Sequence, residues 1–263
     1  MITTPSACEL LTAIAGAGRA PLFFYGPGSS ALDAAWNLAA ENRLPPFGTV
    51  LMSSQSAGRG RMARLWQSPP GHIYGALRLP LAPPFNGPGA ALALSLFLAG
   101  ALSDFGWALS LKWPNDLIFN DGKTGGILLE AKDGILLAGV GLNLLAPPKG
   151  NWHLTRDPGT PPPAALPYPH GPRTLWKTLV KKIIMLYNCR LGFWTMAELR
   201  REAEKILWGR GKKIYVLRPA AEPPVTARRL TGYLTGLGPA GQLVVEDPDG
   251  GRWQIWSGTI GLE

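Results

Sequence analysis

Two segments that combine glycine with basic residues constrain this 263-residue chain more than any other feature of its sequence. The first, residues 58–66 (GRGRMARLW), alternates glycine with arginine, so backbone N–H groups and guanidinium groups can converge on one anionic ligand. The second runs from residues 112–116 (KWPND) to residues 123–128 (KTGGIL); these two pieces set an amide, an acid and two lysines around a Gly-Gly pair, where the backbone can approach a ligand closely. Together the two segments predict a site for phosphate chemistry.

Length and composition indicate a globular protein with one main domain and one small one. Hydrophobic residues make up 46% of the chain, and the mean hydropathy is +0.06; both values favour a folded chain over a disordered one. A chain of 263 residues can bury a substantial core. We place the domain boundary where the pattern changes, giving a main domain at residues 1–208 and a C-terminal domain at residues 209–263.

Cysteine usage and the apolar runs predict a cytoplasmic protein without membrane association. Cys8 and Cys189 lack the spacing of a metal site, and two distant thiols are typical of a reducing cytosol. Residues 1–5 (MITTP) lack the basic start and the unbroken apolar stretch of a signal peptide. The apolar run at residues 90–102 is too short to span a bilayer, and Ser95 and Gly100 interrupt it.

The net charge of +9 and the isoelectric point near 9.8 raise the question of a nucleic-acid partner. Much of the excess charge lies at residues 173–213, which are predicted to be largely helical. A basic run on helices is most often a solvated face, and this interpretation is favoured. A docking surface for an acidic protein and, after it, a DNA-binding surface stay open as alternatives.

The main domain is predicted to mix strands and helices. A buried strand at residues 22–25 leads through a Gly-Pro-Gly turn into an alanine-rich helix at residues 31–42, and a serine at the start of that helix is an N-cap by default. A tight hairpin turn of the Asp-Gly type is predicted at residues 120–123, and a second turn is predicted at Asp133-Gly134. The other predicted elements are strands at residues 49–52, 73–79, 109–113, 117–120, 126–131 and 135–144, and helices at 6–17, 90–105, 173–188 and 195–207.

Two regions lack this alternation. Residues 146–172 are rich in proline and are predicted to be a loop or extended segment rather than a packed element. From Gly209 onward, short strands are predicted at residues 213–217, 227–234, 243–246 and 252–256, and they indicate a small β-barrel.

The order of the motifs resembles that of the biotin protein ligases, which adenylate biotin and pass it to a lysine of a carrier protein. Residues 28–30 (GSS) stand at the family's Ser-Thr-Asn biotin contact, and Gln55 precedes the Gly-Arg loop. Residues 139–143 (GVGLN) match the family's Gly-x-Gly-x-Asn strand, and residues 256–262 (WSGTIGL) resemble the last strand of its C-terminal domain. The resemblance covers nearly the whole chain from Leu22 onward.

This resemblance implies both a fold and a reaction. The fold is α+β: a mixed sheet flanked by helices, in a catalytic domain like that of class II aminoacyl-tRNA synthetases, followed by a small SH3-like β-barrel. In the reaction, biotin and ATP give biotinyl-5'-AMP and pyrophosphate, and biotin then passes to a lysine of a carboxylase biotin carrier domain. Biotin, ATP and the Mg²⁺ that accompanies ATP are the expected ligands, and a homodimer is expected by analogy.

The resemblance also implies roles for individual residues. Lys123 is expected to contact the biotin carboxylate and the phosphate, Arg61 to hold the activated intermediate, and Asp116 to approach the acceptor lysine. The expected biotin-binding residues are Ser29, Ser30, Ala31, Gln55, Gly58, Arg59, Gly60, Arg61, Lys123, Gly125 and Gly126. The expected ATP-binding residues are Arg59, Arg61, Trp66, Lys112, Asn115, Lys123 and Asn143.

Several of these residues also have structural interpretations that the sequence leaves open. Lys112 meets phosphate oxygens or forms a bridge to Asp116, and Asp116 can instead satisfy local backbone groups as an Asx turn. Ser30 can serve solely as the helix N-cap, without a contact to biotin. Lys123 can be a solvated hairpin lysine, and Trp66 can be a core residue.

Spacing excludes two other kinds of site. Residues 122–124 (GKT) end like a P-loop, but Leu117 occupies the position of that motif's first glycine, and a Gly-Gly pair stands where its helix would begin. His72, His153 and His170 lack ligand spacing, so no protein-bound metal is predicted. Mg²⁺ would be held by the phosphates of ATP and few carboxylates.

The chain departs from the family pattern at three places. Ala63 replaces a glycine of the Gly-Arg loop, and a positive φ at that position would cost an alanine about 1–2 kcal/mol. Ala31 stands where asparagine is typical, and residues 74–76 (YGA) replace a polar residue on the strand beneath biotin. The departure at Ala63 predicts an altered closure of the loop over the adenylate. The other two predict a weaker affinity for biotin or a related acid as the substrate.

The sequence thus predicts an ATP-dependent biotin–protein ligase. One alternative is a lipoate or octanoate transferase, which shares the catalytic fold but lacks the Gly-Arg-Gly-Arg loop in this form. Another is a non-catalytic protein that binds biotin or carrier domains, against which Arg59, Arg61 and Lys123 argue. Some members of the family repress transcription through an N-terminal helix-turn-helix; residues 1–21 are too few for that domain, so no DNA partner is expected.

Overall fold

The computed structural model describes residues 11–13, 20–148, 159–189, 194–217 and 229–263. Within these residues, eight strands form one mixed sheet: β1 (Leu11–Ala13), β2 (Ala20–Gly28), β3 (Thr49–Gln55), β4 (Ile73–Leu79), β5 (Ser110–Lys112), β6 (Asp116–Phe119), β7 (Gly122–Lys132) and β8 (Ile135–Leu142). Their order is β1-β2-β3-β4-β8-β7-β6-β5. Strands β2 and β3 are parallel, and the other neighbours are antiparallel.

Helices cover both faces of this sheet. Helix α1 (Ala31–Ala40) packs on one face, where Leu32 and Leu38 join a cluster with residues of β3, β4 and β8. Helices α2 (Ala90–Ser103) and α3 (Pro172–Cys189) belong to the larger cluster on the opposite face. Trp176 of α3 lies directly beneath Gly75 of β4, since a Cβ at Gly75 would come within 2.3 Å of the indole ring. The sheet therefore carries its main core on the face opposite α1.

A second, antiparallel sheet forms the C-terminal part of the molecule. Its strands β9 (Lys213–Leu217), β10 (Arg229–Leu237), β11 (Leu243–Glu246), β12 (Arg252–Ile255) and β13 (Thr259–Leu262) lie in the order β12-β11-β10-β9-β13. Helix α4 (Met196–Lys205) precedes it and begins with a capping box formed by Thr195 and Glu198. Trp113 Nε1 donates to Gly241 O at 3.1 Å, which ties the small sheet to the loop after β5. No helix in the described part of the chain is both long and apolar enough to cross a membrane.

Three local predictions were wrong, wholly or in part. Leu11–Ala13, predicted to be helical, pair with β2 because the edge of a sheet offers unpaired backbone groups; the other residues of that predicted helix lie outside the described ranges. The hairpin after β6 turns at Asn120-Asp121, both with positive φ, and Gly122 already belongs to β7. The described part of residues 146–172 is largely a loop, as predicted, but it is packed in part: Leu166 is fully buried, and backbone bridges join Pro163 to Lys123 and Leu166 to Leu144.

Most element positions were correct to within a few residues. The strand predicted to start at residue 227 is described only from Arg229, since residues 218–228 lie outside the described ranges. The turn at Asp133-Gly134 joins β7 to β8 as predicted, with positive φ at both residues. The closing strand of residues 256–262 is β13, which pairs with β9.

Candidate functional site

The segments at residues 58–66 and 112–128 meet on the sheet face that α1 covers. They enclose a cavity of about 110 Å³ under the start of α1. Eleven of the predicted site residues line this cavity: Ser30, Ala31, Gln55, Arg59, Gly60, Arg61, Trp66, Asn115, Asp116, Lys123 and Gly126. Residues that the sequence did not single out also line it, among them Leu32, Arg64, Leu65, Ile127, Leu128 and Val140. Five predicted residues, Ser29, Gly58, Lys112, Gly125 and Asn143, lie outside its lining.

The start of α1 forms one wall of the cavity. Ser30 caps the helix, because its hydroxyl accepts a hydrogen bond from Leu32 N at 3.2 Å. Ala31 N donates to Gln55 Oε1 at 2.8 Å, and Gln55 Nε2 donates to Ser68 Oγ at 2.8 Å. Gln55 therefore joins the helix start to the segment that follows the Gly-Arg loop. Ser29 is exposed.

The Gly-Arg loop closes on itself through its backbone. Trp66 N donates to Gly58 O at 2.9 Å, and Gly60 N donates to Arg64 O at 2.8 Å. Only glycine fits at residue 58, since a Cβ there would lie 2.5 Å from Ser68 Oγ. The left-handed residue of the loop is Met62, with φ 56° and ψ 36°, and not Ala63. The backbone strain expected at Ala63 thus falls one residue earlier.

Arg59 is held by two carboxylates from outside the loop. Its Nε lies 2.9 Å from Glu130 Oε1, and one terminal nitrogen lies 2.7 Å from Asp33 Oδ1. Trp36 Nε1 also donates to Glu130 Oε2 at 2.6 Å. The hydrogen bond to Glu130 raises the pKa of Arg59; burial opposes ionisation of Glu130, but the hydrogen bonds from Arg59 and Trp36 prevail and lower its pKa. This network fastens the loop to α1 and β7.

Arg61 has a different environment from Arg59. Its side chain lines the cavity and, among the residues that the structure describes, takes part in no ion pair within 4.0 Å. Burial lowers the pKa of Arg61, and the charge of Asp116 opposes this shift. A guanidinium group of arginine nevertheless keeps its charge at neutral pH. Arg61 therefore offers its N–H groups to a ligand.

The opposite wall carries an acid between two lysines. Asp116 Oδ1 lies 2.7 Å from Lys123 Nζ, and Asp116 Oδ2 lies 3.9 Å from Lys112 Nζ. Lys112 is only 2% exposed, and burial lowers its pKa to about 8 against the opposite effect of Asp116. Asn115 Nδ2 donates to Ile127 O at 2.6 Å, which holds the turn before β6 against β7. The structural bridge that the sequence left open for Lys112 is thus formed.

The floor of the cavity consists of glycines under an indole ring. A Cβ at Gly141 would lie 2.7 Å from the Trp66 ring, and one at Gly126 would lie 3.5 Å from it. Lys123 Nζ lies 5.3 Å from the centre of the same ring. Gly125 instead faces Leu142 and Gly141 O. The absence of side chains at Gly126 and Gly141 lets the indole ring of Trp66 lie against the sheet.

The sequence missed Glu130 and Asp33, which hold Arg59 in place. Glu130 could have been found from strand periodicity, since Gly126, Leu128 and Glu130 share one face of β7. Asp33 has no comparable pattern, because an acid in the first turn of a helix is common for its favourable interaction with the helix dipole.

The chain is similar in sequence to known proteins over less than half of its length. The model of the family described as "Biotin/lipoate A/B protein ligase family" matches residues 30–145. A biotin–[acetyl-CoA-carboxylase] ligase of Paracoccus denitrificans is 39% identical over 129 residues, which are 44% of this chain and 51% of that protein. The bifunctional ligase/repressor BirA of Bacillus subtilis is 34% identical over 113 residues, which are 40% of this chain and 35% of that protein. The chain thus spans about half, or less, of the curated relatives it matches.

Solved structures are similar over most of the chain. The biotin protein ligase of Aquifex aeolicus in complex with biotin and ATP superposes with a TM-score of 0.73 at 22% identity, covering 92% of this chain and 98% of that one. The Leishmania major biotin protein ligase in complex with biotinyl-5-AMP gives a TM-score of 0.61 at 21% identity, covering 89% and 98%. At these identities the similarity shows the fold. The chain is thus similar to the biotin/lipoate A/B protein ligase family over residues 30–145, and it has the fold of the biotin protein ligases.

Proposed function

We propose that this protein is an ATP-dependent biotin–protein ligase. It would form biotinyl-5'-AMP and pyrophosphate from biotin and ATP, and then pass biotin to one lysine of a biotin carboxyl carrier domain. The observation that carries the proposal is the cavity itself, which brings Arg61, Asp116 and Lys123 together above a floor of glycines. The names of the relatives, and the biotin, ATP and biotinyl-5-AMP named with the similar structures, support the same choice.

In the first step, a biotin carboxylate oxygen attacks the α-phosphorus of ATP, and the bond to the departing pyrophosphate breaks. The chain must hold two anions in line and neutralise the charge that develops between them. Four cationic residues line the cavity: Arg59, Arg61, Arg64 and Lys123. Because Glu130 and Asp33 engage Arg59, we assign the carboxylate and the α-phosphate to Lys123 and the phosphate to Arg61. The ring system of biotin would lie against the start of α1, near Ser30 and Gln55.

ATP and its Mg²⁺ would extend from the same wall. Trp66 would lie beside the adenine, while Asn115 and Asn143 would contact the nucleotide, and Lys112 would supply a nearby positive charge. Among the described residues, no group of three histidine, cysteine, aspartate or glutamate side chains is arranged to hold a metal. We assign Mg²⁺ to the triphosphate, where it would screen the negative charge of the phosphates.

In the second step, the acceptor amine attacks the carbonyl carbon of the adenylate and AMP leaves. Asp116 is the carboxylate nearest to Lys123 Nζ, at 2.7 Å, so it can exchange this partner for the incoming ammonium group and take its proton. Asp116→Asn should therefore slow transfer to the carrier more than it slows adenylate formation. Measuring both half-reactions on one preparation checks this; equal losses would give Asp116 a different role.

We also propose the finer architecture that the family resemblance implies. Residues 1–208 would be a catalytic domain like that of class II aminoacyl-tRNA synthetases, and residues 209–263 an SH3-like domain. The five-stranded antiparallel sheet supports the second assignment. A homodimer and a cytoplasmic location belong to the same proposal, and sedimentation with ligand bound tests the dimer.

Biotin-dependent exchange of pyrophosphate into ATP by the purified protein tests the central claim. An exchange that requires biotin is the expected result, followed by a single biotin adduct on an apo carrier domain, detected by intact-mass measurement. No exchange at all would leave a binding protein as the better description. Lipoyl or octanoyl adducts without any biotin adduct would overturn the substrate assignment.

A further inference from the structure

Residues 160–166 (TPPPAAL) form backbone hydrogen bonds with Lys123 on both sides of its peptide unit. Lys123 N donates to Pro162 O at 2.7 Å, and Ala164 N donates to Lys123 O at 2.8 Å. The segment therefore runs beside β7 like a short parallel strand at this one residue.

The same segment continues to Asn143. Asn143 Nδ2 donates to Ala164 O at 2.9 Å, and Leu166 N donates to Asn143 O at 2.9 Å. The fully buried side chain of Leu166 anchors this end in the core. Asn143 itself is 4% exposed and lies outside the cavity lining. The side-chain amide of Asn143 is thus hydrogen-bonded to the segment at residues 160–166.

The other end of the segment meets Lys112. Lys112 Nζ lies 3.4 Å from Thr160 Oγ1, and both residues are buried. On its opposite side the same ammonium group lies 3.9 Å from Asp116 Oδ2. A buried ammonium group needs such oxygens, because removing it from water is costly. Thr160 therefore helps to hold the ammonium group of Lys112 next to Asp116.

The proline content of the segment favours a rigid backbone. Three consecutive prolines, Pro161 to Pro163, fix φ and carry no N–H, while their carbonyl groups remain acceptors. The contact with β7 is close, since a Cβ at Gly122 would lie 2.4 Å from Ala164 Cβ and 3.0 Å from Pro162 O. Glycine at residue 122 thus allows the segment to approach Lys123.

We propose that residues 160–166 are a positioning strap, which sets the location of Lys123 and, through Lys112, of Asp116. The strap touches no ligand and acts through these residues. Its effect on catalysis rests on the proposed function, whereas its effect on the Lys123 backbone does not. Errors of about 1 Å in the position of a catalytic group can cost up to about a hundredfold in rate.

Gly122→Ala tests the strap, because the added methyl group must displace Ala164. The expected results are faster deuterium exchange at the Lys123 amide and a fall of at least about tenfold in kcat for biotin-dependent exchange. The KM for biotin should stay within about twofold, since the start of α1 is untouched. A second change, Ala164→Gly, should recover part of the lost rate. Gly87→Ala is the control, because nothing lies within 4 Å of a Cβ there.

Two outcomes overturn the proposal. In the first, Gly122→Ala keeps the wild-type protection of the Lys123 amide and the wild-type kcat. In the second, the double variant with Ala164→Gly folds but recovers neither the amide protection nor the kcat. If Gly122→Ala fails to fold, Thr160→Val replaces it, with an expected kcat loss of about fivefold at unchanged biotin KM; a wild-type kcat in this variant also overturns it. If the wild-type protein shows no biotin-dependent exchange, the proposed function is overturned but the strap is not. In that case amide exchange at Lys123 still decides whether the strap holds the strand.

Discussion

The two cationic parts of the cavity are held in place by different kinds of contact. The Gly-Arg loop at residues 58–66 is fastened to α1 and β7 mainly through the side chain of Arg59, and its tip is exposed, with Met62 at 60% and Leu65 at 55%. Lys123, in contrast, is fixed by backbone hydrogen bonds on both sides and by strand β6. Partly exposed ion pairs are screened by solvent and contribute little, so the loop should open at a lower cost in free energy than the strand that carries Lys123.

This difference separates the two arginines of the loop as well. The guanidinium group of Arg59 is engaged by Glu130 and Asp33, whereas that of Arg61 has no ion-pair partner within 4.0 Å among the described residues. Arg59 and Arg61 have the same side chain and lie two positions apart, but they have different roles. Arg59 holds the loop, and Arg61 is available to hold what the loop covers. The predictions below test this division, from the largest expected effect to the smallest.

Lys123→Ala should reduce adenylate formation by at least about a thousandfold, because it removes the cation that is fixed most firmly beside the reacting groups. The fold should be retained with a loss of about 1–3 kcal/mol in the free energy of unfolding, since the buried carboxylate of Asp116 loses the nearer of its two lysines. Pyrophosphate exchange and thermal unfolding check both parts. Lys132→Ala, at an exposed position of the same strand, is the matched control and should leave both unchanged.

Arg61→Gly should weaken retention of the adenylate by about tenfold to a hundredfold, since charge-assisted hydrogen bonds contribute about 1.5–3 kcal/mol each. Escaping adenylate would acylate lysines of bystander proteins, so labelling should lose its specificity. Arg59→Lys should instead loosen the loop, seen as faster proteolysis near Met62, because lysine cannot form the paired contacts to Glu130. Specific labelling by Arg61→Gly would contradict the division between the two arginines.

Lys112→Met should be more stable than wild type at pH 7, with a margin that shrinks as the pH rises. The pKa of Lys112 is about 8 in the folded protein, compared with 10.5 as its ordinary value, so the unfolded chain binds more protons between these values. The wild-type protein therefore gains stability as pH rises from about 8 to 10.5, and the variant lacks this gain. Urea unfolding of both proteins at pH 7 and pH 10 measures the difference. A margin that is constant or grows would show that Lys112 is not held as a buried cation.

Thr124→Val should stabilise the protein by about 0.5–2 kcal/mol, the smallest effect expected here. Within the described part of the chain the buried hydroxyl of Thr124 has no hydrogen-bond partner, and leaving such a group unpaired costs about 1–3 kcal/mol. Thr49→Val is the matched control and should be destabilising, because the Thr49 hydroxyl donates to Ala76 O at 2.6 Å and accepts from Trp176 Nε1 at 3.1 Å. Denaturant unfolding compares the two. A loss of stability in Thr124→Val would mean that this hydroxyl supports β7.

Much of the site was predictable because its signals are local. The Ser30 cap, the turn at Asp133-Gly134 and the Gly-Arg loop each depend on residues a few positions apart in the chain. Two of the three errors arose where a distant segment supplies the partner. Residues 11–13 form a strand because β2 offers an edge, and the proline-rich residues 160–166 pack because β7 and β8 offer unpaired backbone groups. Composition alone carries no information about such partners.

The sequence by itself determined the motifs, most of the helices and strands, and the chemistry that their residues can perform. The tertiary structure decided which of those residues are free to perform it. Arg59 is engaged because Glu130, 71 residues away in the chain, lies on the facing strand, and Lys112 is buried against Thr160, 48 residues away. Residue type fixes what a side chain can bind, but the partner it binds depends on packing between distant segments, which local patterns do not record.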